Sequence, residues 1–147
     1  MKLLIQRVNK AFVTVENQII GQISRGLLVF LGINNTDSDS LIPKMIDKLV
    51  NLRLFPQGEK EFDLSIQDIK GEILVVSQFT LYGNTASGRR PDFIQAAKAD
   101  TAKVLYEQFV TELKKTNLNI QTGIFQADMK VNLENDGPAS FILENNE

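Results

Sequence analysis

Two short runs carry the groups of this chain best suited to chemistry. They are Ser77-Gln78-Phe79-Thr80-Leu81-Tyr82-Gly83 and Asn135-Asp136-Gly137-Pro138-Ala139-Ser140. Among its 147 residues there is no histidine and no cysteine. These absences exclude a Ser-His-Asp relay, a thiolate nucleophile and a zinc site built on imidazole or thiolate. An enzyme with this alphabet works with hydroxyls, carboxylates, lysines and main-chain amides, which suits a substrate that is already activated.

The first run closes an apolar stretch, Glu72-Ile73-Leu74-Val75-Val76. Strand alternation puts Ile73, Val75, Ser77, Phe79 and Leu81 on one face and Leu74, Val76, Gln78, Thr80 and Tyr82 on the other. The stretch is apolar on both faces up to Ser77 and polar beyond it. Either a buried, rigid element delivers hydroxyl and amide groups at its end, or the strand simply reaches solvent there. The second run, Asn-Asp-Gly-Pro between two strand-like segments, is a turn signature. It is a plain hairpin loop, or a place where Gly137 and Pro138 offer unshielded backbone carbonyls to a ligand. Pro138 has no amide hydrogen, and the sequence leaves its cis or trans state open.

A third segment, Gly88-Arg89-Arg90-Pro91-Asp92-Phe93, sets two arginines in a loop that could clamp a phosphate. Solvated loop arginines read the same way. Gly21, Gly26 and Gly32 are too widely spaced for a phosphate-binding glycine loop. The acidic residues are scattered without a metal-ligand spacing.

Strands and two helices must position these groups. Leu3, Ile5, Ala11, Val13 and Val15 alternate roughly, with a reversal at Asn17-Gln18, a returning strand from Ile19-Ile20 and a turn at Ser24-Arg25-Gly26. Gly26 to Ile33 is apolar on both faces, as a central strand is. Ile42, Met45, Ile46 and Leu49 form one helical stripe, and Pro43 in the first turn predicts Ser40 as the N-cap. Short strands follow over Leu52–Phe55 and Phe62–Ile66, then a long one over Glu72–Tyr82. A second helix is predicted from Thr101 to Lys115, capped by Asp100, with Ala102, Leu105, Tyr106, Phe109, Val110 and Leu113 inward. The end returns to strands: Ile120–Phe125, Met129–Leu133 and Ala139–Glu144. The expectation is α+β: one domain over residues 1–147, with a mostly antiparallel, curved or barrel-like sheet and two main helices packed on it.

A 43% apolar and 23% charged composition is that of a globular chain. The longest apolar stretch falls far short of the ~20 residues that span a membrane. The opening Met1-Lys2-Leu3-Leu4-Ile5-Gln6-Arg7 turns polar too soon for a signal peptide. A cytoplasmic location is expected, with no membrane and no DNA partner. The formal charge of −2 lacks the basic excess of a backbone-reading nucleic-acid binder, so any RNA contact is local.

Taken in order, these segments resemble the D-aminoacyl-tRNA deacylase family, also called D-tyrosyl-tRNA deacylase. The likeness runs through Leu4-Ile5-Gln6-Arg7-Val8, Gly26-Leu27-Leu28-Val29, Val75-Val76-Ser77-Gln78-Phe79-Thr80-Leu81, Arg90-Pro91-Asp92-Phe93, Gln121-Thr122-Gly123, Ala127-Asp128-Met129 and Asn135-Asp136-Gly137-Pro138. The Ser-Gln-Phe-Thr and Asn-x-Gly-Pro-x-Thr segments are that family's signatures. The resemblance implies a cofactor-free homodimer with active sites at the subunit interface. It implies hydrolysis of the ester joining a D-amino acid, or glycine, to the terminal adenosine of tRNA. It places Ser77, Gln78, Phe79 and Thr80 on the adenosine and ester carbonyl. It makes Gly137-Pro138 a cis pair that reaches into the partner's pocket, contacts the α-amino group and blocks an L side chain, with Asn135 and Ser140 in the same motif. Arg89 and Arg90 are the candidate tRNA-phosphate contacts. One departure is Ser140, where the family has threonine: the hydroxyl is kept and a methyl is lost.

Such chemistry does not need histidine. An aminoacyl ester is labile, and the neighbouring ribose hydroxyl can assist the attack of water. Positioning then supplies several kcal/mol, and one well-aimed donor is worth about 10²–10³ in rate. The Phe79 and Thr80 amides are the candidate donors. Thr80 as a nucleophile lacks a basic side chain to activate it. Two other readings stand beside this one: a related editing domain that removes a mischarged L-amino acid, and a dimeric RNA- or ligand-binding module without catalysis.

Overall fold

The first strand, β1 (Lys2–Val15), organises the sheet because both of its edges are occupied. The structure, a computed structural model, describes residues 1–145. On one edge the first half of β1 pairs antiparallel with β3 (Gly26–Gly32) and the second half with β2 (Gln18–Ile23). Along the other edge lies β8 (Lys130–Glu144). Glu16 and Asn17, with φ of 50° and 64°, make the tight β1–β2 hairpin, the left-handed pair that matches strand twist.

Two parallel ladders extend the sheet: β6 (Glu72–Ser77) on β3, then β7 (Asn119–Thr122) on β6. Parallel neighbours need long crossovers. The first contains α1 (Ile42–Asn51) and a hairpin of β4 (Arg53–Gln57) with β5 (Lys60–Ser65); the second contains α2 (Ala99–Lys114). The sheet curls until β7 meets β2. A Cβ on Gly21 would sit 2.5 Å from the Thr122 carbonyl oxygen, so only glycine allows this near-closure. The α+β, mostly antiparallel, barrel-like expectation holds.

Strand alternation divides the core in two. Val8, Ala11, Val13, Leu28, Leu74 and Val76 fill the barrel interior. Leu3, Ile5, Leu27, Val29, Ile73 and Val75 face the helices and meet Met45, Leu49, Leu105 and Phe109. Phe109 is fully buried, and Phe109→Ala costs about 3–5 kcal/mol.

Several boundaries differ from expectation. Leu3 and Ile5 do not share a face with Ala11 and Val13, because the β1–β8 register shifts around Val8 and moves the inward parity by one. The Glu72–Tyr82 strand stops at Ser77, and Phe79–Tyr82 is a 3-10 turn. Ser40 does not cap α1: it lies in a 3-10 turn, Asp39–Leu41, with its Oγ 2.6 Å from Ser38 Oγ. Helix α2 starts two residues early, so Asp100 lies in its first turn, where a carboxylate suits the helix dipole. The Asn135–Ser140 segment is not a hairpin loop. It is part of one continuous strand, since β1 supplies pairing partners on both sides of it.

Candidate active site

Polar groups reach the cavity because β6 runs out of partner. Its ladder on β3 ends with Leu31 opposite Ser77, and the Gln78 amide makes a last bond of 2.8 Å to the Leu31 carbonyl. The chain then tightens, with the Leu81 amide on the Gln78 carbonyl at 3.3 Å and the Gly83 amide on the Thr80 carbonyl at 2.9 Å. The Phe79 and Thr80 amides occupy the first turn, where no carbonyl within the turn can accept them. They donate to no described acceptor. The Gln78 side-chain amide donates to Thr80 Oγ1, which orients both side chains.

Phe79 of this turn borders a cavity of about 590 Å³, whereas Thr80 is not among its lining residues. Ser77, Gln78 and Phe79 line one side of the cavity, Ala99 and Ala102 enter from the start of α2, and Phe125, Gln126, Asp128 and Met129 close it from the β7–β8 connection. Phe79 is 57% exposed and packs edge-on against Phe93, with centroids 5.1 Å apart. Phe93 follows the loop that carries Arg89 and Arg90. Its ends are tied by the Asn84 and Asp92 backbones (2.9 and 3.1 Å) and by Asn84 Nδ2 donating to Asp92 Oδ2 at 3.0 Å. Both arginines are exposed and make no ion pair among the described residues.

The second motif lies elsewhere. Asn135 pairs with Val8 and Ser140 with Gln6 on β1, and none of Asn135, Gly137, Pro138 or Ser140 lines the cavity. The Gly137–Pro138 bond is cis, and both residues are exposed. Asn135 Nδ2 donates to the Arg7 carbonyl (3.0 Å) and the Ala139 carbonyl (3.3 Å), bracing the segment. Gln6 Nε2 donates to Ser140 Oγ at 3.1 Å, the bond that a retained hydroxyl allows. The two signature motifs are therefore not brought together within one chain.

Sequence reasoning missed Arg7. It is 2% exposed, donates to the Leu54 carbonyl at 2.8 Å, and pairs with Glu61 (2.5 Å) and Asp136 (2.9 Å). A charged residue ending the Leu3–Ile5 alternation is the signal that could have found it, since arginine is almost never buried unpaired. Sequence reasoning also missed Ala99, Phe125 and Met129 as cavity walls, because only the fold brings α2 and the β7–β8 connection together. Among the described residues no group of acidic side chains could hold a metal ion, and no helix is long and apolar enough to cross a membrane.

A near-closed barrel-like sheet with helices packed outside it, and a cavity at the Ser77–Phe79 end of β6, define the class of protein. The family model described as D-Tyr-tRNA(Tyr) deacylase matches residues 4–144, and the chain belongs to that family. A D-aminoacyl-tRNA deacylase of Petrotoga mobilis is 50% identical over 98% of this chain and 97% of its own length. One from Aquifex aeolicus is 48% identical over 100% and 99%. Among solved structures, the c-Myc DNA unwinding element binding protein superposes with a TM-score of 0.93, at 39% identity and full coverage of both chains. A probable eukaryotic D-amino acid tRNA deacylase shares the fold at a TM-score of 0.83 and 17% identity, covering 97% and 98%.

Proposed function

We propose that this chain hydrolyses the ester between a D-amino acid, or mischarged glycine, and the terminal adenosine of tRNA in the cytoplasm. Water adds to the ester carbonyl, the bond to the ribose oxygen breaks, and free amino acid and tRNA leave. Residues Ser77 to Thr80 hold the adenosine and the ester, with the Phe79 and Thr80 amides aimed at the developing oxyanion. The ribose 2′-hydroxyl assists the water. Arg89 and Arg90 take the phosphates of the acceptor end.

The single observation carrying this reading is the separation of the two motifs. One chain has a cavity edged by Ser77, Gln78 and Phe79, with neither Gly137 nor Pro138 among its walls. The same chain displays the exposed backbone of Gly137 and Pro138, held by Asn135, away from its own cavity. A homodimer resolves this: each protomer lends Gly137–Pro138 to its partner's cavity. Carbonyls there meet the α-amino group, ignore the side chain of a D-residue and collide with that of an L-residue. The open edge of β8 supports pairing, since Leu133, Phe141 and Ile142 are exposed beside it and Phe62 packs on Phe141 at 5.5 Å. The whole sequence, 1–147, works as one domain in each protomer.

Purified protein is incubated with D-Tyr-tRNA and with L-Tyr-tRNA, and residual charging is counted. Loss of the D form alone is expected. Loss of the L form, or of neither, rejects the reading, the first in favour of an L-editing domain and the second in favour of a binding module.

A further inference from the structure

The 3-10 turn that presents the Phe79 and Thr80 amides is held from behind by a residue at the opposite end of the sequence. Lys2 Nζ lies 3.4 Å from the Leu81 carbonyl oxygen, inside the turn, and 4.9 Å from the centroid of the Tyr82 ring. Glu144 Oε1 is 3.4 Å from the same ammonium and aims it. Tyr82 is 4% exposed and lines a second, polar cavity of about 320 Å³, yet its buried hydroxyl has no partner among the described residues. The ring is therefore held through its face and edge. Its edge rests against β3 at Gly32, where a Cβ would lie 3.3 Å from Tyr82 Cδ2 and 3.0 Å from Leu81 Cβ.

From this geometry we infer that Lys2 and Tyr82 are positioning residues for the reaction, fixing the amide pair from the side remote from substrate. A cation against a carbonyl oxygen and an aromatic face is an attractive, directional contact on both counts. Gln78 ties the start of the turn to β3 through the Leu31 carbonyl and Phe79 leans on Phe93, while this contact and the Gly32 seat hold its far end at Leu81 and Tyr82. Neither Lys2 nor Tyr82 is among the residues that line the cavity beside Phe79. The inference rests on the oxyanion reading of the two amides.

The test combines D-Tyr-tRNA kinetics, thermal melting and amide hydrogen exchange at Phe79 and Thr80 on wild type, Lys2→Met, Lys2→Arg, Tyr82→Leu and Tyr82→Phe. Lys2→Met and Tyr82→Leu are expected to lower kcat about tenfold or more, as misplaced groups do. KM should stay near wild type and exchange at the two amides should speed up. Lys2→Arg and Tyr82→Phe should recover most of the rate, because the charge and the ring are kept. Lys2 is a partly exposed side chain, so Lys2→Met keeps the test open should Tyr82→Leu fold poorly. An active wild type with Lys2→Met equal to it in kcat and exchange overturns the inference, as does Lys2→Arg being as slow as Lys2→Met. An inactive wild type rejects instead the reading beneath it, and the exchange comparison still decides whether Lys2 holds the turn.

Discussion

Arg7 Nε lies 2.9 Å from Asp136 Oδ2, which couples a buried cation on β1 to the residue immediately before Gly137. The contact is at ion-pair distance without hydrogen-bond alignment, while Arg7 Nη1 and Nη2 bond the Leu54 carbonyl and Glu61. Removing the guanidinium leaves the Leu54 carbonyl and Glu61 without their donor and Asp136 without its counter-charge. Arg7→Met is expected to destabilise the fold by about 1–3 kcal/mol, mainly from the orphaned Leu54 carbonyl, with Asp136→Asn costing less because Glu61 still pairs with Arg7. Urea denaturation of the three proteins measures this; equal stability of Arg7→Met and wild type would contradict it.

Gly137 has open space around it within its own chain. An added Cβ would meet nothing closer than Asn135 Oδ1 at 3.8 Å. Gly137→Ala should therefore melt near the wild-type temperature. If the segment enters the partner's cavity, the same methyl intrudes on the substrate, and deacylation of D-Tyr-tRNA should fall at least tenfold, as a misplaced group does. A variant that is stable and fully active would contradict the cross-subunit placement.

Thr80 is exposed, and its hydroxyl accepts a bond from Gln78. Among the described residues its hydroxyl is hydrogen-bonded to the Gln78 amide and to no basic side chain. Thr80→Ala should keep much of its activity, because the backbone amide remains. Charged tRNA ending in a 2′-deoxyribose should not turn over. Single-turnover deacylation of both combinations checks the pair, and the reverse pattern would assign the attack to Thr80.

Much of the fold was legible in the sequence, and the exceptions share a cause. The inward residues of both helices follow from a 3.6-residue period, and all of them are buried. The Glu72–Val76 run showed its strand by being apolar on both faces. The end of that strand was not legible, since Ser77 to Tyr82 continues to alternate; it stops because β3 stops beneath it. Asn135 to Ser140 carries every local mark of a turn, yet β1 pairs on both sides and draws it into β8. Arg7 showed only as a charge ending the Leu3–Ile5 alternation, and its partners, Leu54, Glu61 and Asp136, are too distant in sequence to be read from it. Local patterns name the groups, and long-range pairing decides which of them meet.

Tyr106 ties α2 to the sheet by donating its hydroxyl to the Val75 carbonyl at 3.1 Å. Burial pushes its phenol up to about 12, above the value of an unfolded tyrosine. A raised acid favours its neutral form in the native state, so this contribution is complete below about pH 10 and is lost as pH climbs toward 12. The melting temperature should fall through that window, and less steeply in Tyr106→Phe. Burial also raises the Tyr82 phenol, in the same direction, with Asp37 and Glu144 adding to it. The Tyr106→Phe variant itself should lose about 1 kcal/mol at neutral pH from the missing hydrogen bond. Identical alkaline melting profiles for variant and wild type would contradict the assignment.

The claim that a neighbouring subunit completes each cavity is tested most directly by mixing two defective proteins. Gly137→Ala spoils the lent segment, and Ala99→Trp fills the receiving cavity from its exposed rim. In a mixed dimer one cavity keeps an open pocket and receives an intact Gly137–Pro138, so co-refolded protein should deacylate D-Tyr-tRNA well above either parent. A mixture no more active than its parents, once mass spectrometry shows that mixed dimers have formed, would contradict it.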